Sequence, residues 1–197
     1  LGTTGEPATM SDDEKEALMR FAVQRAKGRV KLIFGTGANC TEKAIAATRH
    51  AEALGADGVL AVTPYYNKCT QNGLVEYYKA ICGATSLPVI CYNVPGRTGV
   101  NILPATMERI AQIPNMAGIK EASGNMQQVL ETARRIRGKC DLFSGEDALN
   151  LPILCAGGTA VISVVSNLVP AQVKALTESI FAGDLARANL LNDALLP

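Results

Sequence analysis

The sequence predicts an α/β fold, a parallel (β/α) barrel, on three observations. Short β-branched and apolar runs recur six times along the chain, with amphipathic segments between them. The runs are almost continuously apolar rather than alternating, the pattern of strands covered on both faces by helices. The glycine-rich phosphate turn of an open dinucleotide-binding sheet is also missing. Gly35-Thr36-Gly37 stands at a strand end, but Cys40 occupies the place of the third glycine, so the segment reads as a tight βα turn. Six strand–helix units are many for a small doubly wound sheet, which favours the barrel.

Taken in order, residues 1–5 read as the tail of a strand entering a tight turn. Ser11 and Glu14 have the spacing of a capping box. Leu18, Phe21, Ala22 and Ala26 then recur at helical spacing, and Gly28 stands where a helix terminates. Residues 30–34 form the first full strand. Thr41 caps a second helix whose apolar face is Ile45, Ala47, Ala51 and Leu54, ending at Gly55. Strands follow over 58–63, 88–93, 116–120, 140–144 and 159–165. Pro104 opens a third helix carrying Met107 and Ile110. Met126, Val129, Leu130, Ala133 and Ile136 mark a fourth, closed by Gly138. A whole barrel has eight strands in typically about 250 residues. A strand stub and six strands would leave two unpaired edges, so at least one strand and helix are expected to precede residue 1.

Composition narrows the function classes. Nineteen Lys and Arg against eighteen Asp and Glu give a net charge of +1, no basis for binding nucleic acid or an anionic membrane surface. No apolar run approaches the roughly 20 residues of a membrane span, and no signal-peptide pattern opens the chain. Cys40, Cys69, Cys82, Cys91, Cys140 and Cys155 include no CxxC pair. With His50 as the sole histidine, neither a zinc site nor any other metal cofactor is expected. Reduced cysteines fit a cytoplasmic protein. His50 falls within a helical stretch and reads as a surface residue.

In a barrel of this kind chemistry sits where strands end and βα loops begin. Those ends carry Gly2-Thr3-Thr4-Gly5-Glu6, Thr63-Pro64-Tyr65-Tyr66-Asn67, Tyr92 to Thr98, Lys120-Glu121-Ala122-Ser123 and Ser144-Gly145-Glu146-Asp147. Lys120 directly follows Met116-Ala117-Gly118-Ile119, an apolar strand. An ammonium there is poorly solvated, which lowers its pKa and favours the neutral amine that attacks a ketone. The alternative is a lysine emerging at a loop mouth or paired with Glu121. Tyr92 is either a proton donor and acceptor at the mouth or a core aromatic with a hydrogen-bonded tip. Thr3 and Thr4 offer hydroxyls and turn amides to a small carboxylate, or simply cap a turn. Arg97 either clamps a carboxylate or is an exposed turn residue.

Together the motifs GTTGE, TPYYN, YNVPGRTG, GIKEASG and FSGED resemble the dihydrodipicolinate synthase / N-acetylneuraminate lyase family, in order and spacing, across essentially the whole chain. Arg97 in YNVPGRT points to the synthase branch. The resemblance implies a TIM (β/α)8 barrel without its first strand, first helix and most of its second strand. Residues 1–182 would then form the partial barrel, and residues 183–197 the beginning of a C-terminal helical region. It also implies a lyase that condenses pyruvate with L-aspartate-4-semialdehyde in lysine and diaminopimelate biosynthesis, needing no cofactor beyond a lysine–pyruvate imine. Lys120 would form the imine and Tyr92 would move protons, linked through Thr3 to a Tyr66 supplied by a neighbouring subunit of a dimer of dimers. Thr4 would hold the pyruvate carboxylate and Arg97 that of the second substrate, while Gly145 and Ile162 line the pocket with carbonyls. Two alternatives stay open: another pyruvate aldolase of the family acting on a sugar acid, and a non-catalytic barrel fragment.

Asn39 and Tyr65 match the family's interface site for lysine inhibition. Lys15 and Lys43 depart from it, standing where lysine-sensitive members carry histidine and glutamate. An ammonium in place of a carboxylate repels a cationic effector. The expected outcome of titrating activity with free lysine is weak inhibition or none; tight inhibition would contradict this reading.

Overall fold

The computed structural model describes residues 1–26 and 28–196. Its core is a six-stranded, all-parallel sheet in simple sequential order. The strands are β1 (Ile33–Gly35), β2 (Gly58–Val62), β3 (Val89–Asn93), β4 (Met116–Glu121), β5 (Asp141–Ser144) and β6 (Ala160–Val161). Helices α1 (Asp12–Ala26), α2 (Thr41–Ala53), α3 (Gln71–Cys82), α4 (Pro95–Thr98), α5 (Pro104–Ile110), α6 (Met126–Ile136), α7 (Asn150–Cys155), α8 (Pro170–Phe181) and α9 (Leu185–Leu195) complete the described residues. The edge strands β1 and β6 are not joined to each other, so the sheet is an open, partial barrel.

Both faces of the sheet are covered. Val59, Ala61, Val89, Cys91, Ile119 and Leu142 pack outward against the helices in the main apolar core. A smaller inner cluster gathers Leu60, Ile90, Tyr92 and Val94, with Val62, Phe143 and Ile162 against it. This two-sided burial explains why the strands read as unbroken apolar runs. A third cluster joins α7, α8 and α9 through Leu154, Leu176, Ile180 and Ala188.

Local signals behave as their chemistry requires. The Ser11 hydroxyl accepts from the Glu14 amide at 3.2 Å, and Glu14 Oε2 accepts from the Ser11 amide at 2.8 Å, a reciprocal capping box. Gly28, Gly55 and Gly138 adopt positive φ just beyond α1, α2 and α6. Pro104 occupies the first turn of α5, whose Met107 and Ile110 are fully buried.

Several elements differ from what the sequence predicts. Residues 1–5 hold the expected tight turn, the 3₁₀ turn Thr3–Gly5 closed by Gly5 N–H to Gly2 O and Glu6 N–H to Thr3 O, but none of them is paired in the described sheet. β1 starts late because the Asp57 carboxylate captures the Leu32 amide and the Lys31 ammonium ahead of the ladder. β6 covers only Ala160–Val161, its partner β5 ending at Ser144, and beyond it the Asp147 carboxylate accepts the amides of Val164 and Val165 at 2.8 and 3.0 Å. The N-cap of α2 is Cys40 rather than Thr41, and its buried stripe is Ala44, Thr48 and Ala51, with Ala47 exposed. The core accepts Thr48 because its hydroxyl bonds that of Thr36 at 2.9 Å. In α6, Val129, Ala133 and Ile136 face the core, but Leu130 is 55% exposed. Helix α3, capped by the Thr70 hydroxyl, carries Leu74, Tyr78 and Ile81 fully buried; it was not among the helices read from spacing, and nor was α8.

Within α6 this divides two apolar residues by role. Ile136→Ala is expected to cost about 2–5 kcal/mol of stability. Leu130→Ala should stay within about 0.5 kcal/mol of the parent. Chemical denaturation of both variants checks the assignment of the buried face.

Candidate active site

The site forms where β3 and β4 end. Their register places Tyr92 beside Lys120 and Asn93 beside Glu121, and the next pairing sets Lys120 beside Phe143 of β5. Neighbours in register present their side chains to the same face, so Val62, Tyr92, Lys120 and Phe143 line the barrel interior in one layer. Lys120 is 8% exposed and Tyr92 6%. The Lys120 Nζ stands 4.2 Å from the centroid of the Tyr92 ring, within the range of a cation–π contact when the amine is charged.

Two glycines make room for this layer. A Cβ on Gly118 would come within 2.6 Å of the Phe143 ring. One on Gly145, which follows β5, would stand 2.8 Å from both Cγ and Cε of Lys120. The lysine stem therefore lies against bare backbone, and a side chain at either position would displace the layer.

The electrostatics favour a neutral amine. Burial lowers the Lys120 pKa, Asp147 opposes the shift, and the positive charge of Arg97 reinforces it. Burial raises the Tyr92 phenol, while Arg97 and the Thr3 hydroxyl work the other way. Lys120 does not pair with Glu121. Glu121 faces the opposite side of the strand, fully buried, where it accepts from Asn93 Nδ2 at 3.1 Å and the Ser123 amide at 2.7 Å. Burial raises its carboxyl, against the bonds from Ser123 and Asn93.

The other candidates are placed unevenly. Thr3 stands beside Tyr92, and Thr4 is exposed in the same 3₁₀ turn. Arg97 is exposed on the single turn of α4, close enough to act on both Tyr92 and Lys120. The Ile162 amide donates to Ser144 O at 2.8 Å, and its side chain joins the inner cluster. Tyr66 is 89% exposed with φ of 73°, displayed to solvent on the loop after β2. Asn39 and Tyr65 lie on adjacent loops that Asn67 ties together, its side chain donating to Asn39 O at 3.1 Å and its amide to Tyr65 O at 2.9 Å. Lys15 pairs with Asp12 at 3.1 Å, and Lys43 is exposed in the first turn of α2. His50 is a surface residue of α2, 3.5 Å from Glu16.

Asp147 was not selected as a site residue from the sequence, although it stands at a strand end. Burial works against its charge, yet the Ser163 hydroxyl and the amides of Val165, Val164 and Asn150 hold its carboxyl below the usual range. It is thus an anion held in place by hydrogen bonds and close enough to act on Lys120. Among the described residues no three His, Cys, Asp or Glu side chains gather as metal ligands, and no helix is long and apolar enough to cross a membrane.

Fold and site together define a parallel α/β barrel sheet with a buried lysine at a strand end, stacked on a tyrosine of the neighbouring strand. The family model of the dihydrodipicolinate synthetase family matches residues 1–197. A 4-hydroxy-tetrahydrodipicolinate synthase from Alkaliphilus oremlandii is 52% identical over 188 residues, 95% of this chain and 65% of that protein. The 4-hydroxy-tetrahydrodipicolinate synthase structure from Methylacidiphilum fumariolicum superposes with a TM-score of 0.97 at 42% identity, covering 99% of this chain and 65% of that one. The Acinetobacter baumannii dihydrodipicolinate synthase, solved with pyruvate, gives 0.95 at 42% identity, covering 98% and 66%. The chain belongs to the dihydrodipicolinate synthetase family. It spans about two thirds of the length of the relatives it matches, 65% and 66% for the first two.

The lowered Lys120 pKa has a direct readout. In acylation at graded pH, followed by peptide mass spectrometry, Lys120 is expected to react at lower pH than the exposed lysines. Arg97→Ala removes a cation that disfavours the ammonium, so the Lys120 midpoint should move up. A midpoint indistinguishable from those of Lys43 and Lys79 would contradict the assignment.

Proposed function

We propose that this chain carries the catalytic lysine of a 4-hydroxy-tetrahydrodipicolinate synthase, which joins pyruvate to L-aspartate-4-semialdehyde through a Schiff base on Lys120. One observation supports the reading above the others: a buried lysine, stacked on Tyr92 in adjacent register, at the carboxyl end of a barrel strand. The family relationship supports the same substrate pair.

The chemistry follows from the groups present. The neutral Lys120 amine attacks the ketone carbon of pyruvate, a C–N bond forms, and the ketone oxygen leaves as water. The protonated imine draws electrons from the adjacent methyl group, which loses a proton to give an enamine. The enamine carbon adds to the aldehyde, and cyclisation through the amine of the second substrate releases Lys120. Tyr92 shuttles protons in these steps, with the Thr3 hydroxyl beside it. Thr4 and the turn amides hold the pyruvate carboxylate, and Gly145 and Ile162 line the pocket. Arg97 receives the carboxylate of the aldehyde at the entrance. Tyr66, displayed to solvent here, serves a neighbouring subunit of a cytoplasmic homo-oligomer and completes that subunit's proton relay. No metal or organic cofactor takes part.

Borohydride reduction in the presence of pyruvate, followed by mass spectrometry, is the deciding experiment. The expected product is one reduced pyruvate adduct on Lys120, abolished in Lys120→Ala. A folded chain with no adduct would reject the Schiff base. An adduct without consumption of aspartate semialdehyde would point instead to a different pyruvate aldolase.

A further inference from the structure

Behind the reactive layer lies a polar network that the chemistry above leaves unused. Successive strand residues face opposite sides, so Asn93 and Glu121, the register pair after Tyr92 and Lys120, point toward the helices. Glu121 is completely buried, and among the described residues it forms no ion pair. Its carboxylate is satisfied by neutral donors alone. A buried carboxyl with no cation beside it is costly to keep charged, and so calls for a reason.

The hydrogen-bond directions around it are fixed. Asn93 Oδ1 accepts the Ile102 amide at 2.9 Å, which commits Asn93 Nδ2 to donate. That nitrogen reaches Asn101 Oδ1 at 2.9 Å and both Glu121 oxygens, at 3.3 Å and 3.1 Å. Asn101 and Gln128 exchange bonds of 2.8 and 3.0 Å, which orient Asn101. The Ser123 amide donates to Glu121 Oε1 at 2.7 Å. Donors thus converge on both oxygens of residue 121, and only a side chain that accepts through both atoms fits. Glutamine would place an amide nitrogen against that of Asn93.

The same two residues carry the backbone bonds that bound the lysine. The Ala122 amide donates to Asn93 O at 2.9 Å, extending the β3–β4 ladder past the strand ends. The Gly145 amide donates to Glu121 O at 2.8 Å, and Gly145 is the residue packed against the Lys120 stem. Strand β3, strand β4 and the loop after β5 therefore meet at Asn93 and Glu121.

We infer that Glu121, oriented by Asn93, is a positioning residue for the Lys120 amine. Its carboxylate clamps the ends of β3 and β4 so that the amine stands over Tyr92 and against Gly145. The inference rests on the Schiff-base reading. A misplacement of about 1 Å in a reacting group costs up to about 100-fold in rate, so loosening this clamp should appear in the rate of imine formation rather than in pyruvate binding.

The test measures the rate of borohydride-trappable adduct against pyruvate concentration, per folded molecule, with unfolding followed in parallel. Glu121→Gln is expected to lower the maximal rate by roughly 10- to 100-fold while half-saturation by pyruvate stays within about threefold and unfolding stays cooperative. Glu121→Gln reacting at the parent rate would overturn the inference, as would a loss that vanishes once corrected for unfolded protein. An unreactive parent chain would instead remove the Schiff-base reading itself.

Discussion

Everything at the candidate site depends on the register between β3 and β4. Tyr92 lies opposite Lys120 and Asn93 opposite Glu121, and the alternation of a strand sends the first pair inward and the second outward. A slip of one residue would exchange the faces, placing the amide and carboxylate in the barrel and the amine among the helices. The outer pair cannot tolerate that exchange, because its donors and acceptors are matched to the Ile102 and Ser123 amides. Register and network thus support each other, and the reactive pair inherits its geometry from both.

Charge around the lysine is arranged on the same scaffold. Burial and Arg97 favour the neutral amine, whereas Asp147 favours the ammonium. Asp147 is held by the segment leaving β6, where it captures two backbone amides. One carboxylate therefore both fixes the loop after β6 and sets a local field at the site. On the proposed function, an amine poised between the two influences suits a group that attacks as a nucleophile and then carries positive charge as an imine.

Much of this was legible in the residues. Apolar runs identified all six strands, because burial on both faces leaves few polar positions to confuse the pattern. The capping box at Ser11 and Glu14 was readable because its bonds are local. Lys120 stood out because a lysine ending an apolar strand is chemically anomalous. The losses came from long-range partners. Asp57 holds Lys31 and Leu32 ahead of β1, and Asp147 holds the segment after β6, through bonds spanning many residues, which spacing cannot reveal. Thr48 was hidden because only its partner Thr36 makes it acceptable in the core. Adjacency in sequence suggests Glu121 as a partner for Lys120, yet strand geometry sends the two apart.

The unpaired carboxylate of Glu121 carries a consequence for redesign. Filling positions 93 and 121 with well-packed apolar residues would remove a desolvated acidic group, a change that often leaves a fold as stable or more so, provided the Ile102 and Ser123 amides are given other acceptors. A procedure guided by stability alone would select those substitutions early. On the role inferred for it, the protein would gain robustness and lose reactivity, the familiar exchange at sites where polar strain serves function. Tolerance to heat and competence of the lysine should therefore separate at these two positions, while elsewhere in the core they should move together.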